Sequence, residues 1–201
     1  RKSIRIDSSR VAGDLTNFPV LINTTDINWK EDDTYNGHVA QSDGGDILFT
    51  SDDGITKLDH EIEKYTPSSG ELVAWVEVPS LSGSTDTNIY IYYGNASVAD
   101  QWDIEGSWDG NHVMVQHLNE SPNDGVAGHL DSTSFNRDGT PQNFQDGGGG
   151  TTNATGQIAG ADDLAGDDDY VDFGTGCLVT SNWTVEMWVN PTSPADYDRL
   201  F

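Results

Sequence analysis

The chain of 201 residues carries 34 acidic residues against 9 basic ones, a formal net charge of −25. A field of that sign repels nucleic acid and anionic membrane surfaces, which excludes both as partners. It also opposes compaction at low ionic strength, a cost removed where concentrated salt shrinks the Debye length to about 3 Å at 1 M, so the composition points to a salt-loving source.

The 6 Trp, 7 Tyr and 6 Phe are dispersed among β-branched runs, which supplies a core and argues against disorder. A lone cysteine, Cys177, precludes a disulfide within the chain; it has no His/Asp context and reads as a small buried residue. No apolar run approaches the ~20 residues of a spanning helix, so direct membrane insertion of this segment is not expected. The chain starts at Arg1, and a strand pattern is just beginning at Arg199-Leu200-Phe201; it reads as an internal piece of something longer.

Short alternating runs separated by Gly, Asp, Asn, Ser and Pro predict strands almost throughout. Lys2–Asp7 opens the series and Phe18–Asn23 follows. Asp46–Thr50 leads into the turn Ser51-Asp52-Asp53-Gly54, and Glu61–Tyr65 closes on Pro67-Ser68-Ser69-Gly70. In Glu71–Val78, Leu72, Ala74, Val76 and Val78 take one face and Val73, Trp75 and Glu77 the other. Thr87–Tyr93 is the most β-prone stretch; its edges, if unpaired, would invite assembly by strand addition. A helical turn is expected around Ala96–Trp102. Asn111–Leu118 predicts a further strand, residues 121–157 are loop-dominated, and Asp169–Phe173 and Thr184–Asn190 predict two more strands.

This pattern gives an all-β fold of two tandem antiparallel sandwiches, jelly-roll-like, the second incomplete. The first spans residues 1–98, a linker 99–110, and the second 111–201.

The first unit resembles the DUF2341 domain. The residues that carry the resemblance are Phe18-Pro19-Val20-Leu21, Gly45-Asp46-Ile47-Leu48-Phe49, Leu58-Asp59-His60-Glu61-Ile62-Glu63, Ala74-Trp75-Val76-Glu77-Val78-Pro79 and Ile89-Tyr90-Ile91-Tyr92-Tyr93-Gly94-Asn95. The resemblance implies an extracellular β module of multidomain surface proteins and supplies no catalytic residues. The second unit resembles the first half of a laminin-G/concanavalin-A-like jelly roll. That resemblance rests on Val115–Glu120, Asp131-Ser132 with Asn136, Gly166–Val171 and Trp183–Val189.

Ca²⁺ takes six to eight oxygen ligands, so the acidic loops are the places to look for an ion. The metal-ligand candidates are Asp131 and Asn136, where the resembling jelly rolls place ion contacts, and Asp167, Asp168 and Asp169. Asp43, Asp46, Asp52 and Asp53 form a second acidic loop cluster; solvated loops adapted to salt are the preferred reading of each cluster. No carboxylate motif of a sugar-cleaving strand occurs, and the pair Glu61 and Glu63 is assigned a structural or surface role rather than glycoside hydrolysis. His112 and His117, at odd spacing on one expected strand, would face opposite ways and form no metal site. Trp75, Tyr90, Tyr92, Trp102, Trp108 and Trp188 read as core, with Trp102 and Trp108 packed between the units. Five Asn-x-Ser/Thr acceptors, Asn23, Asn95, Asn119, Asn153 and Asn182, fit an exported, N-glycosylated protein.

The sequence therefore predicts a non-catalytic extracellular module at a cell or virion surface, binding a glycan or a surface protein. The alternative is a self-assembling structural subunit of a filament, surface layer or virion, including a viral receptor-binding fibre.

Overall fold

A computed structural model describes residues 1–144, 150–165, 168–175 and 182–191. The fold is all-β and built from antiparallel ladders. The strands are β1 (Lys2–Ile6), β2 (Leu15–Thr25), β3 (Leu48–Thr50), β4 (Lys57–Leu58), β5 (His60–Thr66), β6 (Glu71–Leu81), β7 (Thr87–Tyr92), β8 (Thr140–Gln142), β9 (Thr151–Thr155), β10 (Gly160–Asp163) and β11 (Tyr170–Asp172). A four-stranded sheet runs in the order β1-β7-β3-β4, and a three-stranded sheet in the order β2-β6-β5.

These two sheets stack face to face, because alternation gives each one apolar face that must leave water. Ile89 and Ile91 of β7, Phe49 of β3 and Leu58 of β4 meet Leu72, Ala74, Val76 and Val78 of β6 in one core. Thr87–Tyr92 pairs with β1 on one side and β3 on the other, so it is a central strand and offers no free edge.

Strand β5 carries a bulge. Ile62 pairs with Ala74 but Lys64 pairs with Val73, leaving Glu63 as the extra residue. Strict alternation would put Glu61, Glu63 and Tyr65 on one face. The bulge keeps both glutamates on the outer face and turns Tyr65 inward, where its hydroxyl donates to the carbonyl of Trp29 at 2.6 Å.

A third layer covers that outer face. Val73 points away from the two-sheet core yet is fully buried. The cover is the chain after Asn95, which runs back across the three-stranded sheet. Its backbone docks through Gln101 N–H to Gly45 O and Asp103 N–H to His60 O, both at 2.9 Å. A short 3-10 turn, Glu105–Ser107, then delivers Trp108. Where a helical turn is expected, at Ala96–Trp102, only a single turn closed by Val98 N–H to Asn95 O forms and no helix follows, whereas a one-turn helix (α1, Asp32–Tyr35) that the alternation did not reveal is present.

Two expected strands do not form. Asn111–Leu118 makes only a single bridge, from Gln116 to Asp131, and is otherwise held largely through side chains: Val115 N–H donates to Asp131, Arg137 donates to Val113 O, and His117 pairs with Glu61 of the sheet below. Thr184–Asn190 is exposed and unpaired among the described residues, with Trp188 74% accessible; alternation alone makes no strand without a neighbour to accept its hydrogen bonds. Beyond the third layer, β8 pairs with β11 and β9 with β10 as separate two-stranded ladders. Cys177 and Asp167 lie outside the described residues.

Candidate functional site

The densest chemistry sits between the outer face of β5-β6 and the third layer. His117 lies between two carboxylates: Nε2 is 3.0 Å from Glu61 Oε2 and Nδ1 is 3.2 Å from Glu63 Oε2. All three side chains are at least nine-tenths buried. Glu61 accepts two further bonds, from Trp108 Nε1 at 2.9 Å and from the Ser132 hydroxyl at 2.7 Å. Glu63 accepts from Trp75 Nε1 at 2.8 Å. The indoles of Trp75 and Trp108, with ring centroids 5.2 Å apart, wall the imidazole on two sides. Asn119 completes the join by donating to the carbonyl of Glu63.

Burial alone would strip His117 of its proton, but the flanking carboxylates outweigh it and hold the imidazolium up to a pKa of about 10. For Glu61, burial pushes the carboxyl up, and the donors His117, Ser132 and Trp108 bring it below its ordinary value. His117 is therefore a charged centre held between two carboxylates that also accept from Trp108, Ser132 and Trp75.

A second cluster repeats the pattern further along. His129, fully buried, has Nδ1 3.3 Å from Glu120 Oε2 and Nε2 3.1 Å from Asp162 Oδ2. Burial lowers its pKa, and the two carboxylates raise it further, to about 9. The contact to Asp162 is an ion pair without hydrogen-bond alignment, and both Asp162 oxygens are buried without a hydrogen bond.

The candidate metal ligands fall in separate places. Asp131 uses both oxygens on protein donors: the amides of Val115, Thr133 and Arg137 and the Thr133 hydroxyl, at 2.8–3.0 Å. Asn136 closes the same turn in a left-handed conformation, its side chain donating to Ser134 O. Asp168 is exposed and Asp169 accepts from the Ala165 amide. Among the described residues, no group of three or more His, Cys, Asp or Glu side chains is placed to hold a metal ion. In the first unit, Asp46 accepts from four amides, those of Ala40, Gln41, Gly94 and Asn95. Asp53 accepts from the hydroxyl and amide of Thr56, the amide of Ile55 and the Ser51 hydroxyl, which hold its carboxyl far below the ordinary range.

Of the glycosylation acceptors, Asn23, Asn95, Asn153 and Asn182 are exposed, whereas the Asn119 amide nitrogen is engaged with Glu63. His112 and His117 do not diverge, since the segment that bears them is not a strand: both rings pack on Trp108, at 5.4 and 6.1 Å. The sequence shows Glu61 and Glu63 on one face, but gives no sign that His117, 54 residues beyond Glu63, would settle between them. No helix among the described residues is long and apolar enough to cross a membrane.

No curated protein and no solved structure matches the chain. Residues 43–121 match the model of a family described as a domain of unknown function, DUF2341; the match contains Glu61, Glu63, Trp75, Trp108 and His117 together and ends just past Asn119.

Proposed function

We propose that the chain is a non-catalytic module of an extracellular surface protein from a salt-rich habitat, presenting a glycan- or protein-binding surface. The observation that carries this reading is the use of the Glu61–His117–Glu63 cluster. A close pair of carboxylates flanking a histidine, a constellation suited to hydrolysis, is here buried and engaged in joining layers. The acidic loops follow the same economy, with Asp46, Asp53 and Asp131 each spent on four protein donors. The exposed sequons Asn23, Asn95 and Asn153 suit an exported, glycosylated protein. In this reading the laminin-G/concanavalin-A-like likeness describes the ancestry of residues 111–201, and Ca²⁺ is the ion whose removal is to be tested.

The test is binding of the chain to intact halophilic cells and to a glycan panel in about 2 M salt, where surface charge is screened, with and without a calcium chelator. Saturable binding without turnover of the bound glycan is expected. Glycan cleavage would overturn the non-catalytic reading. Absence of binding to any surface, with regular self-association in the same buffer, would replace it by the structural-subunit reading, which the central placement of Thr87–Tyr92 already deprives of its expected strand edge.

A further inference from the structure

A cleft of about 370 Å³ opens at the end of the two-sheet stack where the β3–β4 turn, the end of β6 and the start of β7 converge. Its floor is apolar: Leu58, Val78 and Ile89, each at most 2% exposed, close the core beneath it. Its walls are polar. Asp52, Ser80, Thr85, Thr87 and Asn88 line it with side chains that make no hydrogen bond to the rest of the described protein. These side chains differ from Asp46, Asp53 and Asp131, which are each engaged with protein donors. Asp86, also in the lining, is held in place by Arg5 and by the amide and hydroxyl of Ser8, which fixes one wall.

We propose that this cleft is a binding site for a neutral, polyhydroxylated ligand, a hexose unit of a glycan. The proposal rests on the surface-module reading above and names its site. Three features select the ligand class. The volume falls at the lower end of the roughly 300–1,000 Å³ of ligand pockets. An apolar floor under a ring of acceptors and hydroxyls matches a sugar, which has apolar C–H patches and an edge of O–H groups; a carboxylate such as Asp52 accepts from two neighbouring hydroxyls at once. No Lys, Arg or His lines the cleft, and Arg5 beside it is already paired with Asp86, so an anionic ligand would meet the Asp52 carboxylate with no free cation in the lining.

The experiment is a ¹H–¹⁵N NMR titration of the intact chain with methyl hexopyranosides in about 2 M NaCl, repeated on D52A/N88A. These are exposed positions outside the core, and an unchanged melting temperature confirms the fold. Saturable shifts confined to Ser80–Ile89 and Ser51–Leu58, at millimolar affinity and indifferent to chelator, are expected, with at least tenfold weakening in the double variant. No saturable shift in those segments with any hexoside, or shifts centred on Trp102 and the smaller cleft beside Asp43 and Ile62, would overturn the assignment. The two readings separate cleanly. Cell or glycan-panel binding that D52A/N88A leaves intact sinks the cleft and spares the surface module. Hexoside binding in the cleft by a chain that attaches to no surface sinks the surface module and spares the cleft.

Discussion

His60 is an ionisable side chain fully buried against the core of the two sheets, and its protonation sets an acid limit on the fold. Its ring packs edge-on to Phe49 at 5.1 Å, with Nδ1 3.2 Å from Leu58 O and Nε2 3.1 Å from Ile47 O. Burial drives its pKa down to about 4, against the pull of those two carbonyls. A folded-state value below the unfolded one means that, as pH falls from 6.5 toward 4, the unfolded chain takes up a proton that the folded chain refuses. Stability is therefore lost across that window, by roughly 3 kcal/mol in total. His117 and His129 have the opposite sign: their raised values make a contribution that is complete below pH 6.5 and lost as pH rises through about 9 and 10. Urea unfolding from pH 5 to 10 should show a maximum near neutrality. A stability at pH 5 equal to that at pH 7 would contradict the neutral, buried assignment of His60.

At the scale of elements, β5 carries both carboxylates of the Glu61–His117–Glu63 lock that joins the third layer to the sheet, and its bulge turns Tyr65 inward. Most of the first unit was legible from period-two alternation: six of the expected runs coincide with β1, β2, β3, β5, β6 and β7, and a seventh, in the second unit, with β11, since half-buried strands write their burial directly into the sequence. The third layer was not legible. Asn111–Leu118 alternates like a strand, yet it is held by side chains reaching it from β5, and such long-range pairing leaves no local signature. The bulge was hidden for a related reason, because Glu61 and Glu63 share a face with or without it and only Tyr65 betrays the shift. The lock makes a sharp prediction. His117→Leu strands two buried carboxylates and should cost about 3–5 kcal/mol. The triple change E61Q/E63Q/H117L, which removes the charges along with the cation, should recover much of that loss in a thermodynamic cycle. Purely additive losses would show that the carboxylates and His117 are not coupled.

For the whole molecule, the charge distribution matters more than any single pair. Four basic residues stand among the first ten, and five among the remaining 191, which hold 33 of the 34 acids. The repulsion is spread over exposed loops, where salt screens it, while the Glu61–His117–Glu63 charges are buried and screened far less. Raising NaCl from about 0.1 M to about 2 M shortens the Debye length from ~10 Å to below ~3 Å. The melting temperature should rise steeply over that range and should do so equally in KCl. A melting temperature that falls with salt would mean that exposed ion pairs, such as Arg5–Asp86 and Lys64–Glu71, hold the fold instead.

All of this turns on whether the downstream segment is joined to the first sheet by a charged, enclosed histidine. The most direct measurement is the ¹⁵N chemical shift of the His117 ring nitrogens, followed by NMR from pH 6 to pH 11 in the intact chain. The lock predicts that both nitrogens stay protonated and in slow exchange with solvent through pH 9, and that they titrate only near pH 10, with unfolding close behind. Titration near the ordinary value of about 6.5, with rapid solvent exchange, would place His117 in water and contradict the account.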